Sequence, residues 1–218
     1  MRRLNPTPFV HGAQTVFGAA VMGTGLAATY QARLGVQPWD VLHQALANLT
    51  GLTAGEIIVL VSVVTLAMWW PLRQRPGLGT VVCTLVPGPV MDFVREVLPA
   101  PDSVLPRIVL LVTGIALFAV GTALLIRARL GPGVRDGLMT GACGRWGWPI
   151  GVVRAGLEFG VLLLGLGVAL LSRANVIANG SVGLGTLAIA LALGPLLHVL
   201  LGRRRGAAAT EASAPGQV

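Results

Sequence analysis

The strongest constraint in this sequence is a series of long apolar segments that a soluble domain could not bury. A membrane-spanning helix needs about 20 mostly apolar residues, and membranes tolerate interrupting Gly and Pro where neighbouring helices satisfy the backbone. Six segments qualify on these terms: 9–30, 54–72, 77–95, 105–127, 149–172 and 181–201. Charged residues make up 11% of the chain, against roughly 25% in a soluble domain. The sequence therefore predicts an all-α polytopic membrane protein with six transmembrane helices.

Two further segments, 37–50 and 133–146, look helical but are too short and too polar to cross a bilayer. The first contains Asp40 and the second contains Arg135 and Asp136. Each is predicted to be a half-helix, which either re-enters the membrane or lies at its interface.

The distribution of arginine predicts the orientation, because cytoplasmic ends of spans carry an excess of basic residues. All 16 basic residues are arginine. With a cytoplasmic N-terminus (residues 1–8), twelve arginines fall on the inside: 2, 3, 73, 75, 127, 129, 135, 145, 154, 203, 204 and 205. Four fall outside, at 33, 95, 107 and 173. We therefore expect both termini to be cytoplasmic, with a disordered tail over 206–218, and we assign the net charge of +8 to topology rather than to nucleic-acid binding.

Internal repetition divides the membrane region into two related halves, repeat 1 (9–99) and repeat 2 (105–202). The tetrapeptide Ala32–Gly35 recurs as 128–131, and Gly77–Thr80 recurs as 183–186. Each copy holds three spans, an odd number, so the second copy must be inverted relative to the first. Inverted repeats are common in secondary transporters, which bind solutes near the midplane at broken helices.

These motifs also carry a family resemblance. At Ala32–Gly35, Pro38–Leu42 and Arg75–Thr80, the chain resembles the YczE/YitT-like group of bacterial integral membrane proteins over about residues 9–202. The resemblance implies a similar fold, a bacterial plasma-membrane location and a leaning towards transport. Repeat 2 departs from the pattern over 132–136, so the two halves are not expected to be equivalent.

The Arg-Leu-Gly-x4-Asp motif occurs in both halves, as Arg33 to Asp40 and as Arg129 to Asp136. Glycine lets the chain leave one helix, and an acidic residue near the start of the next suits the helix dipole. Either the carboxylates merely cap the short helices while the arginines anchor at headgroups, or all four charges line a solute path.

Asp92 and His198 occupy matching positions, each four residues after the glycine of a Gly-Pro pair. An ionisable residue inside a span is a functional hypothesis by default, so the two are predicted to relay protons. The alternative is that both lie near span ends and reach water.

Arg154 and Glu158 are four residues apart, so they share a helix face and can pair. Their pairing predicts either a functional difference between the halves or a simple interfacial ion pair. The five tryptophans lie near predicted span ends, as in an interfacial aromatic belt: Trp39, Trp69, Trp70, Trp146 and Trp148.

Enzyme motifs are missing from the sequence, including the common zinc-protease, serine-hydrolase and nucleotide-binding patterns. We therefore expect no enzyme activity, no cofactor and no metal site. The main hypothesis is a secondary transporter of a small organic solute, with proton coupling left open. The alternative is a non-transporting accessory or solute-binding subunit. Expected partners are the lipid bilayer and a solute, with a homodimer or an energising subunit left open.

The orientation generates a labelling prediction. A membrane-impermeant thiol reagent added outside should label Asp102→Cys and Asn175→Cys, because both positions lie in predicted external loops. It should not label Gln74→Cys, which lies in a predicted cytoplasmic loop. Labelling of Gln74→Cys from outside would exclude the six-span topology.

Overall fold

The computed structural model describes residues 8–172 and 182–201, and all regular elements in those ranges are α-helices. The predicted cytoplasmic tail (206–218) lies outside them. The helices are α1 (Pro8–Ala32), α2 (Pro38–Thr50), α3 (Ala54–Ala67), α4 (Leu78–Leu85), α5 (Pro87–Val97), α6 (Val104–Ala128), α7 (Val134–Trp146), α8 (Ile150–Leu171) and α9 (Leu184–Leu201).

The two short helices form where the sequence predicts them, and their ends follow local rules. Helix α2 starts with Pro38 at its first position, where the missing N–H costs nothing. Helices α2 and α7 both end on a glycine in the left-handed region, Gly51 (φ 77°) and Gly147 (φ 70°). Each helix has 13 residues, a length of about 20 Å, which is too short for a 30 Å hydrocarbon core.

Among the helices that the structure describes, α1 and α6 form the most extensive pair. Their backbones approach closely at glycines, because a Cβ atom on Gly25 would lie 2.5 Å from the backbone nitrogen of Phe118. A Cβ atom on Gly121 would lie 2.5 Å from the carbonyl oxygen of Gly18. Small residues of this kind allow close helix packing in membranes. The first helices of the two halves therefore form the centre of the fold.

The chain leaves α1 and α6 through similar breaks. Arg33 and Arg129 have φ angles of 51° and 55°, and Gly35 and Gly131 have φ angles of 131° and 128°. Residues other than glycine rarely adopt the positive φ angles of Gly35 and Gly131. The repeated Arg-Leu-Gly sequence thus produces the same backbone turn twice.

Each break is hydrogen-bonded to the last part of the other half. The Leu34 carbonyl accepts a 2.8 Å bond from the Gly185 amide at the start of α9. The Leu130 carbonyl accepts a 2.8 Å bond from the Gly79 amide at the start of α4. These two contacts join the halves reciprocally.

The number of spans differs from the sequence prediction. Four helical stretches of the described ranges are long and apolar enough to cross a membrane: α4 with α5 (78–97), α6, α8 and α9. Helices α2 and α3 qualify only as a pair, bent by 113° between them, which makes at most five. Helix α1 is long enough to span a membrane but is not among these stretches. Its sequence includes the polar residues His11 and Gln14. The multi-span helical class is confirmed, and six separate spans are not.

The close packing of α1 against α6 generates a stability prediction. Gly25→Ala should lower the free energy of unfolding by about 1–3 kcal/mol, because the new methyl group meets backbone atoms that cannot give way. Gly156→Ala is the matched control, since nothing lies within 4 Å of a Cβ atom there, and it should be neutral or stabilising by up to about 1 kcal/mol, because alanine is the better helix former. Thermal unfolding of the purified variants measures the difference. Equal destabilisation of the two variants would contradict the α1–α6 packing described here.

Candidate functional site

An ion pair connects the N-terminal ends of α2 and α7. Asp40 is the third residue of α2, and Arg135 is the second residue of α7. The Arg135 Nη2 atom lies 3.7 Å from the Asp40 Oδ1 atom. Since α2 belongs to repeat 1 and α7 to repeat 2, this ion pair links the two halves.

Asp40 has no exposed side-chain surface, and His43, one helical turn later, is only 2% exposed. The His43 Nδ1 atom lies 3.1 Å from Asp40 Oδ1. The start of α2 offers a favourable field for the carboxylate, because the helix dipole is positive there. Burial of a carboxylate is costly unless it is paired, and His43 and Arg135 supply that pairing through Oδ1.

The second carboxylate oxygen of Asp40 takes part in neither of these contacts. Asp40 Oδ2 is buried and has no hydrogen-bond partner among the residues that the structure describes. A buried acceptor without a donor costs about 1–3 kcal/mol or more when charged. Asp40 Oδ2 is therefore a position at which a proton or a hydrogen-bond donor would be bound favourably.

Aromatic side chains enclose this ion pair. The Arg135 guanidinium lies over the Trp39 ring, with 4.8 Å between its Cζ atom and the ring centroid. The Trp69 indole donates a 3.1 Å hydrogen bond to the Val134 carbonyl at the start of α7. Trp39 and Trp69 are buried, so the predicted aromatic belt is wrong for these two. Trp70, Trp146 and Trp148 are exposed, as a belt requires.

Helix α8 adds further charges around α7. Glu158 interacts electrostatically with Arg135, Arg154 and Asp40, and Asp136 interacts with Arg154 and Arg135. No ion pair within 4.0 Å joins Arg154 to Glu158 in the described part of the chain, so the predicted direct pairing is not found. We call the following set the charged cluster: Asp40, His43, Arg135, Asp136, Arg154 and Glu158.

The other predicted residues lie elsewhere. Arg33 and Arg129 are exposed at the helix breaks and do not join the charged cluster. Asp92 is half-buried and accepts a 3.0 Å hydrogen bond from the Gly55 amide. His198 is exposed. The surroundings of Asp92 and His198 therefore differ, although their sequence positions match.

A polar cavity of about 660 Å³ opens between the ends of α1, α2 and α5. Its lining includes Gln31, Asn48, Asp92, Arg95 and Glu96, so it offers one guanidinium, two carboxylates and amide groups. Neither in this cavity nor elsewhere in the described ranges do three His, Cys, Asp or Glu side chains come together as a metal site would need.

Tyr30 connects the polar cavity to the charged cluster. The Arg95 guanidinium lies over the Tyr30 ring, with 5.3 Å between its Cζ atom and the centroid. The Tyr30 hydroxyl donates a 3.2 Å hydrogen bond to the Asp40 main-chain carbonyl. The buried Tyr30 side chain therefore contacts both Arg95 of the cavity lining and the main chain of Asp40.

Sequence reasoning missed His43, Tyr30, Trp39 and Arg135 as site residues. The spacing of Asp40 and His43 was an available signal, because residues three apart share a helix face. Tyr30 and Arg135 belong to the site only because helices distant in sequence bring them to Asp40, and the sequence contains no local signal for such contacts.

Comparison with known proteins supplies the family. The model of a family of unknown function, DUF6198, matches residues 12–201. An uncharacterized protein of Haemophilus influenzae is 34% identical over 186 residues, covering 85% of this chain and 81% of that protein. The uncharacterized membrane protein YczE of Bacillus subtilis is 27% identical over 186 residues, covering 84% of this chain and 82% of YczE.

A second Bacillus subtilis protein, the uncharacterized protein YyaS, is 27% identical over 190 residues, covering 84% of this chain and 89% of YyaS. No solved structure matches the chain. The YczE-like resemblance of its motifs is confirmed, and the chain, a multi-span helical membrane protein, belongs to the DUF6198 family.

Proposed function

We propose that this membrane protein is a secondary transporter of a small organic solute. The observation that carries the proposal is the ion pair between the N-terminal ends of α2 and α7, in which the buried Asp40 of one half meets the partly exposed Arg135 of the other. Charged residues inside a membrane protein are costly and typically line solute or ion pathways. The charged cluster is therefore the centre of the proposed transport path.

The arrangement of the halves supports an inverted-repeat transporter. In such proteins the site lies near the midplane, where discontinuous helices from the two repeats face each other. The matching breaks at Gly35 and Gly131, with their reciprocal hydrogen bonds to Gly185 and Gly79, are what two inverted copies would produce. In this proposal α2 and α7 re-enter from opposite sides, and neither crosses the membrane.

The proposed orientation places both termini in the cytoplasm of a bacterial cell and the protein in its plasma membrane. The arginine distribution supports this orientation, and YczE, a relative, is named a membrane protein. Under this orientation the C-terminal end of α5, with Arg95 and Glu96, lies towards the outside.

The polar cavity is the proposed entrance for the solute. Arg95 can bind a carboxylate, while Asp92 and Glu96 can bind an ammonium group, so zwitterionic amino acids are the first probes. The proposal predicts that liposomes containing the pure chain accumulate at least one member of a panel of amino acids, small carboxylic acids and amines. Accumulation is measured by mass spectrometry under an imposed pH gradient.

The charged cluster and the rest of the molecule should respond differently to mutation. Asp40→Asn should reduce this solute flux at least about tenfold, because it removes the charge that holds Arg135 at the junction of the halves. Asp102→Asn is the matched control, since Asp102 is exposed and distant in sequence from both helices, and its flux should stay within about twofold of the wild type. Monodisperse elution of both variants excludes misfolding as the cause.

Two outcomes would overturn the transporter proposal. One is the absence of flux for every solute of the panel with well-folded protein. The other is full flux in Asp40→Asn. Co-purification of a stoichiometric partner, together with an absence of flux by the lone chain, would favour the accessory or solute-binding subunit instead.

A further inference from the structure

We propose that the polar cavity is a binding site for a zwitterion, in which Arg95 holds the carboxylate of the ligand while Asp92 and Glu96 hold its ammonium group. This deepens the proposed function, because it commits the solute entrance to one charge pattern and to three named side chains. It also gives Asp92 a role in ligand binding in place of a proton relay. Binding can be measured without transport, so only the place of the site on a transport path rests on the proposed function.

The three charged residues belong to the last turns of α5 and line the same cavity. Residues three or four positions apart are neighbours on a helix surface, so Arg95 could pair directly with Asp92. No ion pair within 4.0 Å joins Arg95 to a carboxylate in the described ranges. Asp92 and Glu96 are four residues apart, and like charges at that spacing repel each other. The cavity wall therefore carries charges of both signs that do not pair directly with one another.

Contacts with other helices keep Arg95 and Asp92 in their separate positions. The Arg95 guanidinium lies over the Tyr30 ring of α1, and the Gln31 side-chain amide donates a 3.0 Å hydrogen bond to the Arg95 main-chain carbonyl. Asp92 Oδ1 accepts a 3.0 Å hydrogen bond from the Gly55 amide of α3. Because α1 positions the cation and α3 positions the anion, the separation of the two charges is a property of the packed fold.

The hydrogen-bonding capacity of the Arg95 guanidinium is not used up by the protein. Its Nε atom is buried and has no hydrogen-bond partner in the part of the chain that the structure describes, and a buried donor without an acceptor is costly. A guanidinium stacked on an aromatic ring keeps its N–H groups in its own plane, where a carboxylate can accept two parallel hydrogen bonds. A carboxylate bound along the Nε edge would supply the missing acceptor.

The two carboxylates of the cavity determine which anions it accepts. A ligand with a carboxylate alone would bring its charge close to Asp92 and Glu96, and such like-charge contacts are unfavourable. A ligand with an ammonium group alone would approach Arg95 in the same way. A zwitterion meets an opposite charge at each end. The cavity volume of about 660 Å³ is typical of sites for small molecules, so neutral amino acids are the simplest ligands of this class.

Thermal unfolding of the full chain in phosphatidylglycerol nanodiscs tests the site, because this lipid carries no ammonium group that could occupy it. L-Alanine, L-leucine and L-phenylalanine are added separately at millimolar concentration. Each is compared with its deaminated acid and its decarboxylated amine, which for alanine are propionate and ethylamine. At least one amino acid should raise the melting temperature, since a ligand of the folded state stabilises it, whereas its acid and its amine should not. No shift with any of the three amino acids, or an equal shift with the matching acid, would overturn the proposal.

Arg95→Gln tests the carboxylate anchor. Affinity, taken from the concentration dependence of the melting temperature, should fall at least about tenfold, because a charge-assisted paired contact is lost. Arg107→Gln is the matched control, since Arg107 lies at the start of α6 and outside the cavity lining. Its affinity should stay within about twofold of the wild type. Full amino-acid binding by Arg95→Gln would contradict the assignment.

Glu96→Gln tests the charge pattern with a change that preserves the shape of the side chain. Glu96 is exposed, so this variant should fold. The substitution removes a partner of the ammonium group and also a charge that repels the plain acid. The ratio of the affinity for the amino acid to the affinity for its deaminated acid should therefore fall at least about fivefold. A merely structural role would change both affinities together, and an unchanged ratio would exclude the proposed ammonium position. If Arg95→Gln does not fold, this ratio and the wild-type comparison decide the question.

Failure of the site and failure of transport give different results. Amino-acid binding without flux in liposomes would leave the zwitterion site standing and contradict the transporter. Solute flux that Arg95→Gln leaves unchanged, together with no amino-acid binding, would leave transport standing and remove the site.

Discussion

The ion pair between Asp40 and Arg135 is the interaction around which the two halves are arranged. A buried carboxylate needs an opposite charge and hydrogen-bond donors, and Asp40 receives them from its own helix and from the other half of the chain. The same contact buries Trp39 beside the Arg135 guanidinium. The lengths of α2 and α7, 13 residues each, and the glycine breaks before them come from local sequence and bring these side chains within reach of each other.

Local rules explain how much of the fold could be predicted. The apolar runs, the Gly and Pro breaks and the repeated motifs act over a few residues, so the helices and the two short segments were predictable close to their observed bounds. The polar residues of α1 obscure its place at the centre of the fold. That position depends on glycines of α6, more than 80 residues away, and only the packed chain brings them together.

The candidate site could be predicted only in part for the same reason. The repeat identified Asp40 and Asp136 as matched residues, and Glu158 and Arg154 as unmatched ones. The repeat also matched Asp92 with His198, yet Asp92 lines a cavity whereas His198 is exposed. Trp69 was assigned to the membrane interface, whereas its ring lies against Gly137. A repeat in sequence predicts matching backbone, but side-chain surroundings depend on partners that have diverged.

Divergence between the halves is visible in packing as well as in charge. Gly55 and Gly88 pack backbone against backbone, while their counterparts Gly151 and Gly194 have nothing within 4 Å of a Cβ position. The first half supplies the buried acid and the polar cavity. The second half supplies the guanidiniums, Arg135 and Arg154. The two halves therefore differ in the groups that they contribute to the charged cluster and the polar cavity.

The reciprocal bonds from Gly185 to Leu34 and from Gly79 to Leu130 have a consequence for folding and evolution. A half without its counterpart would lose the amide donor to the carbonyl at its break, and an unpaired backbone carbonyl is costly wherever water cannot reach it. Each half therefore depends on the other for one backbone hydrogen bond, despite the repeated sequence. If the two halves arose by duplication, a single-repeat ancestor would have needed a second copy to supply this donor, and fusion would have made the exchange permanent.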